Sequence, residues 1–180
     1  ILTSCGLSVF TSCSDEEEPI VTPPDSIELQ LQEMTLREKV GQMFYVRPEC
    51  LDTTIHFNQP NGIDSSSDDI TAIKLQAVNA TMRNVNEKYP VGGIILYAHN
   101  IEDETQLAKF IPEIRALKGS PLLCIDEEGG RVARIGRNSN FSVKTYESMG
   151  AIGATGDPQN AYECGNTIGT YLHRYGFDID

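Results

Sequence analysis

PLLCIDEEGGRVAR, residues 121–134, holds the fold question in one stretch: a proline and four apolar residues, then three carboxylates, two glycines and two arginines. A short unbroken apolar run such as 122–125 suits a strand covered on both faces, as in a parallel sheet with crossover helices. In such sheets the residues just past the C-terminal end of a strand converge on a polar cleft. Asp126, the first residue past the run, is therefore the prime candidate for touching a ligand. Gly129 and Gly130 let backbone pass close to a ligand or take conformations that a side chain forbids.

Upstream, VGGIILYAHN, residues 91–100, has the same form, with Ile94 to Leu96 as an earlier strand. Between the two runs, Asn100 or Asp103 caps a helix whose Leu107, Phe110, Ile111, Ile114 and Leu117 line one side until Gly119 and Pro121 end it. Before Pro90, the residues Ile70, Ile73, Ala77, Ala80 and Val85 recur at helical spacing and predict a helix over 70–88. Further back, Thr35 and Glu38 in TLRE form a capping box that starts a short first helix. Gly41 weakens that helix, and QMFYV, residues 42–46, then runs as the first strand. Residues 47–69 form a polar insertion rich in turn formers, and its His56 and Phe57 read as exposed loop residues.

Downstream, Asp157 caps and Pro158 starts the best-marked helix. Ala161, Cys164, Ile168, Tyr171 or Leu172, and Tyr175 trace its apolar stripe, and Gly176 closes it. FDID, residues 177–180, begins a fourth strand. The alternation of strand and helix predicts an α/β fold with parallel pairing through crossover helices. Periodicity leaves an open sheet and a barrel both standing.

The residue types after the third strand can serve a polar ligand such as a sugar, or a structural network of the loop's own. A carboxylate accepts two hydrogen bonds from neighbouring hydroxyls, and an arginine fork donates to another hydroxyl or holds the carboxylate in place. Those roles suit Asp126 and Arg134. Glu127, Glu128 and Arg131 read as a supporting salt-bridge network beside Gly129 and Gly130. Paired carboxylates serve many glycosidases, but adjacent positions need not face the same space. No Walker-type or Gly-x-Gly-x-x-Gly fingerprint follows a strand, so a nucleotide cofactor is not expected. Asp126, Glu127 and Glu128 lack the spaced oxygen ligands of a calcium loop, and no metal is expected either. Tyr45, Tyr97, Phe141 and Tyr146 are candidates for stacking on sugar faces, with core cover as the alternative for Tyr45 and Tyr97. His99 ends a strand where it can line the cleft, whereas His173 falls within a helix.

The 26 acidic and 14 basic side chains give a net charge of −12, which repels phosphate backbones and removes nucleic acid from the expected partners. The apolar segment ILTSCGLSVFTS gives way at Cys13 to SDEEEPIVTPPD and resembles a bacterial lipoprotein signal. Cys13 is the expected lipidation site, with Cys5 as its competitor. The expected organisation is a signal remnant over 1–13, an acidic, proline-containing tether over 14–29 and an incomplete catalytic-type domain over 30–180. The implied setting is the bacterial cell envelope, lipid-anchored and facing the periplasm or the surface. Cys124 and Cys164 lie in apolar patterns as buried thiols, and Cys50 lies in a loop, free or paired.

MTLREKVGQMF, VGGIILYAHNI, PLLCIDEEGGRVARI and AYECGNTIGTYLHRYGFDID stand in that order from Met34 to Asp180. Together they resemble successive landmarks of the N-terminal domain of family 3 glycoside hydrolases, bacterial β-N-acetylhexosaminidases above all. The resemblance implies a TIM-like (β/α)8 barrel of which 180 residues hold the first half, since a whole one takes about 250. It implies that Asp126 contacts the nonreducing sugar and that Arg134 is a second substrate-binding position. Neither matches the nucleophile. Retaining members form a covalent glycosyl intermediate on a downstream aspartate, and the hexosaminidase branch uses a histidine–aspartate pair in a later mobile loop. That loop's Lys-His-Phe-Pro-Gly-His-Gly-like signature is missing here, so no catalytic residue is assigned and the fragment alone is expected to be inactive. The full-length parent is expected to hydrolyse terminal β-linked N-acetylhexosamine from a glycan with retention. Another exo-β-glycosidase, such as a β-glucosidase, and a noncatalytic glycan-binding lipoprotein are the alternatives.

Overall fold

The computed structural model describes residues 26–55 and 74–180, and the chain divides into two compact units, Ile1–Glu33 and Met34–Asp180. In the first unit the described part is helix α1, Ser26–Glu33, which has no buried residue. Cys5, Cys13, His56 and Phe57 lie outside the described residues, and so do Ile70 and Ile73.

The second unit opens with the expected capping box. Thr35 Oγ1 accepts the Glu38 N–H at 3.3 Å, and Glu38 Oε2 accepts the Thr35 N–H at 2.9 Å, which starts helix α2, Leu36–Gly41. Strand β1 is only Tyr45–Val46, shorter than the expected 42–46. The reason is local: the N–H groups of Met43 and Phe44 bond back to Val40 and Gly41 at 3.1 and 3.0 Å, so these residues finish the helix instead of entering the sheet. Gly41 permits close approach. A Cβ there would lie 1.9 Å from the Pro90 carbonyl oxygen, and the Gly92 N–H reaches the Gly41 oxygen at 2.8 Å.

Strands β2, Gly93–Leu96, and β3, Leu122–Ile125, pair in parallel in the order β1-β2-β3. FDID adds to the far side of β3 as a single parallel bridge between Cys124 and Ile179 rather than as a full strand. Its position is pinned by Asp178, whose Oδ2 accepts the Leu123 N–H at 2.8 Å while Arg115 Nη2 holds both carboxylate oxygens at 2.9 Å. The same guanidinium nitrogen bonds the Gly176 carbonyl, so one arginine ties a helix end to this strand edge.

Helix α3 covers Ala80–Lys88, not 70–88, because Asn79 accepts the Met82 N–H at 2.9 Å and caps the helix there. Ala77 and Ala80 are exposed, and Leu75, Val78 and Met82 enter the core instead. Helix α4, Glu104–Arg115, is capped by Asp103 and buries Leu107, Phe110, Ile111 and Ile114. A further helix, α5, Met149–Ala154, was not marked by any apolar stripe and buries nothing. Helix α6, Pro158–Tyr175, starts at Asp157 and ends at the left-handed Gly176. Its buried stripe begins at Cys164, and Ala161 stays in solvent. Cys50, Cys124 and Cys164 are free, and burial pushes the Cys124 thiol up to about 11, which leaves it an inert core group.

Candidate functional site

Beyond β3 the chain runs from 126 to 148 without helix or strand, so its shape depends on side chains. Asp126 is half-buried, and its Oδ2 accepts from Arg134 Nη2 at 3.1 Å. The Arg134 guanidinium lies 5.4 Å over the Tyr97 ring at the end of β2, while its Nε is buried without a partner. One cation is thus held between two neighbouring strand ends, with a carboxylate beside it at the sheet mouth.

Glu127 turns the other way and is fully buried. Its Oε2 accepts the Arg134 and Ile135 N–H groups at 2.5 and 2.9 Å, and its Oε1 accepts the Gly136 N–H and the Tyr171 hydroxyl, both at 2.7 Å. Four donors saturate the two oxygens and latch the 126–137 loop to α6. Burial and this bond push the Tyr171 hydroxyl up. The Glu127 N–H in turn reaches Asp180 Oδ1 at 2.8 Å. Burial raises the Asp180 carboxyl above its ordinary value, helped by the charges of Glu127, Asp126 and Glu128 and opposed by that N–H.

The expected salt-bridge network of Glu127, Glu128 and Arg131 is not formed. Glu128 and Arg131 are exposed and make no ion pair among the described residues, and Glu127 bonds backbone and a tyrosine instead. Successive side chains of an extended segment point to opposite sides, which sends Asp126 to the mouth and Glu127 into the core. Gly129 and Gly130 both sit against packed neighbours, and Gly129 takes the conformation that a side chain disfavours. Gly129 has φ +84°, and a Cβ on it would meet Ile168 Cδ1 at 2.5 Å; one on Gly130 would meet Ser148 Cα at 3.0 Å.

A second buried carboxylate, which the sequence reading missed, sits after β1. Glu49 Oε1 accepts from Asn100 Nδ2 at 2.6 Å and lies 3.1 Å from His99 Nε2, and its Oε2 is buried with no partner. Burial pushes this carboxyl up, but the bonds from His99 and Asn100 outweigh it and hold it below the ordinary value. The Asn100 amide also reaches the Leu75 carbonyl at 3.0 Å. Glu49 and Asn100 follow short strands, as Asp126 does, and that shared position was the available signal. Among the aromatic candidates, Phe141 is buried edge-on against Tyr175 and offers no face to a sugar, while Arg134 occupies Tyr97. Tyr146 lies under Lys144 with its hydroxyl buried and unpaired, and Tyr45 is exposed.

Both the sequence and the fold match known proteins. The model of the glycosyl hydrolase family 3 N terminal domain matches residues 35–180. The chain belongs to that family. A beta-hexosaminidase of Thiobacillus denitrificans is 41% identical over 94 residues, 49% of this chain and 26% of that protein. One of Pseudomonas aeruginosa is 32% identical over 106 residues, 57% of this chain and 30% of that protein. The chain therefore spans under a third of the length of these curated relatives. Among solved structures, a family 3 beta-N-acetylglucosaminidase from a Paenibacillus species superposes with a TM-score of 0.58 at 27% identity, over 81% of this chain and 23% of that one. Native NagZ from Neisseria gonorrhoeae gives 0.51 at 25% identity, over 59% of this chain and 32% of that one.

Proposed function

We propose that the full-length protein is a retaining glycoside hydrolase that removes terminal β-linked N-acetylhexosamine from a glycan, and that this family 3 domain supplies the part of its site that grips the terminal sugar. The observation that carries this reading is the half-exposed Asp126 held by Arg134 at the C-terminal mouth of β3. Asp126 keeps acceptor capacity for sugar hydroxyls, and Arg134, fixed by the carboxylate and the Tyr97 ring, keeps donors to offer. The saturated Glu127 holds the loop carrying both in one shape, so the pair needs little reordering when a sugar arrives. The nucleophile and the proton-transfer group come from other parts of the protein.

The TIM-like barrel belongs to the same proposal. Its support is the sheet order, in which β1, β2, β3 and Ile179 follow chain order in parallel, as barrel strands do, without the reversal of a doubly wound sheet. The names of the relatives favour N-acetylhexosamine over glucose. Export and anchoring through a lipid on Cys13, with residues 14–29 as tether, complete the picture and rest on the sequence alone. Steady-state assays of the full-length protein on aryl β-glycosides of N-acetylglucosamine, N-acetylgalactosamine and glucose test the activity. Preference for the acetamido sugars is expected; preference for glucose, or binding without turnover, contradicts it. Intact-mass analysis of membrane-extracted protein is expected to find lipid on Cys13, and an unmodified Cys13 or acylation confined to Cys5 contradicts the anchor.

A further inference from the structure

Because β1, β2 and β3 are parallel, their C-terminal ends share one edge, and polar side chains from all three meet there. Along it Asp126 pairs with Arg134, Arg134 covers the Tyr97 ring, and the His99 ring lies 6.0 Å from Tyr97 at an interplanar angle of 12°. Glu49 stands behind His99, fully buried, while the imidazole keeps 11% exposure. An ionised carboxylate only accepts hydrogen bonds, so His99 must present its Nε2 proton to Glu49. In the neutral ring this leaves Nδ1 as an acceptor, and Nδ1 has no hydrogen-bond partner among the described residues.

We propose that His99 is an additional substrate-contacting residue. Its Nδ1 accepts a hydrogen bond from a hydroxyl or amide N–H of the sugar next to the one held by Asp126 and Arg134. The Tyr97 ring neighbours both groups, with the Arg134 guanidinium 5.4 Å and the His99 ring 6.0 Å from its centroid, so in this assignment a disaccharide gripped at Asp126 extends along Tyr97 to His99. Glu49 is the positioning residue, fixing tautomer and ring orientation from behind, as a carboxylate does for a working histidine. This assignment rests on the glycosidase reading above and adds to it a preference for oligosaccharide over monosaccharide.

The test uses the full-length protein and two substrates, an aryl β-N-acetylglucosaminide and the β-linked disaccharide of N-acetylglucosamine. His99→Gln keeps a donor for Glu49 and removes the Nδ1 acceptor. It is expected to lower kcat/KM on the disaccharide about tenfold, mostly through KM, and to leave the aryl monosaccharide within about twofold. His99→Asn, whose Oδ1 falls near the place of Nδ1, is expected to recover part of the loss. Equal losses on both substrates, or none on either, overturn the assignment of His99 while the wild-type turnover still supports the glycosidase reading. A wild-type protein that neither cleaves nor binds either sugar overturns both together.

Discussion

Two buried glutamates stand behind two neighbouring strand ends, and their surroundings differ. Glu127, behind β3, has both oxygens filled by three backbone N–H groups and a tyrosine hydroxyl. Glu49, behind β2, crowds His99 and Asn100 onto one oxygen and leaves the other buried and bare. A saturated carboxylate acts as a structural bracket, since every bond it makes is to the fold. A half-used one marks a place where the fold keeps polar capacity unspent, and such places cluster at functional sites.

The same substitution should therefore have unequal effects at the two positions. Glu127→Gln replaces one saturated oxygen with an NH2 group that cannot accept, so two buried donors lose their acceptor; a loss of about 2–4 kcal/mol in urea unfolding is expected. Gly129→Ala comes next, because it forces an L side chain into φ +84° and against Ile168, and a loss of about 1–3 kcal/mol is expected by the same measurement. Tyr171→Phe removes a single donor from Glu127 and should cost about 1 kcal/mol. Glu49→Gln can keep its carbonyl toward His99 and Asn100 and turn its NH2 into the place of the bare oxygen, so its loss should stay under about 1 kcal/mol. Matching losses for the two Glu→Gln variants would erase the distinction between bracket and site.

Acid titration of stability sharpens the same contrast. The Glu49 carboxyl is held below its ordinary value of 4.5, so its contribution is fully present above that value and is lost as pH falls through its lower folded pKa. Asp178 is also lowered: burial pushes it up, but the Leu123 N–H and Arg115 prevail, and its contribution is lost in the same direction. Glu49→Gln should thus flatten part of the acid limb of a pH–stability curve, and an unchanged limb would show that the pair with His99 contributes nothing to it.

Much of the frame was legible in the sequence, because strong local signals coincided with what tertiary packing needed. The Thr35–Glu38 box, the Asp103 and Asp157 caps and the apolar runs of β2 and β3 all appear where they were expected. The misses are places where one polar contact overrode periodicity. Asn79 stopped a helix that the spacing of alanines extended too far, and back-bonding to α2 shortened β1. In the site, the sequence singled out Asp126 and Arg134, which the structure brings together at 3.1 Å. It placed Glu127 in a salt-bridge network, whereas side-chain alternation buries Glu127 among backbone donors and Tyr171 that lie beyond the reach of local spacing. Glu49 stayed hidden because its partners lie fifty residues away in the chain.

The central claim, that Asp126 grips sugar while its neighbour grips the fold, is tested most directly by Asp126→Asn in the full-length protein. Turnover of an aryl β-N-acetylglucosaminide and thermal unfolding would be measured side by side. Loss of a charge-assisted hydrogen bond predicts kcat/KM lower by about tenfold to a hundredfold with the unfolding temperature nearly unchanged. Unaltered kcat/KM in a fully folded variant would contradict the account and remove Asp126 from the sugar contact.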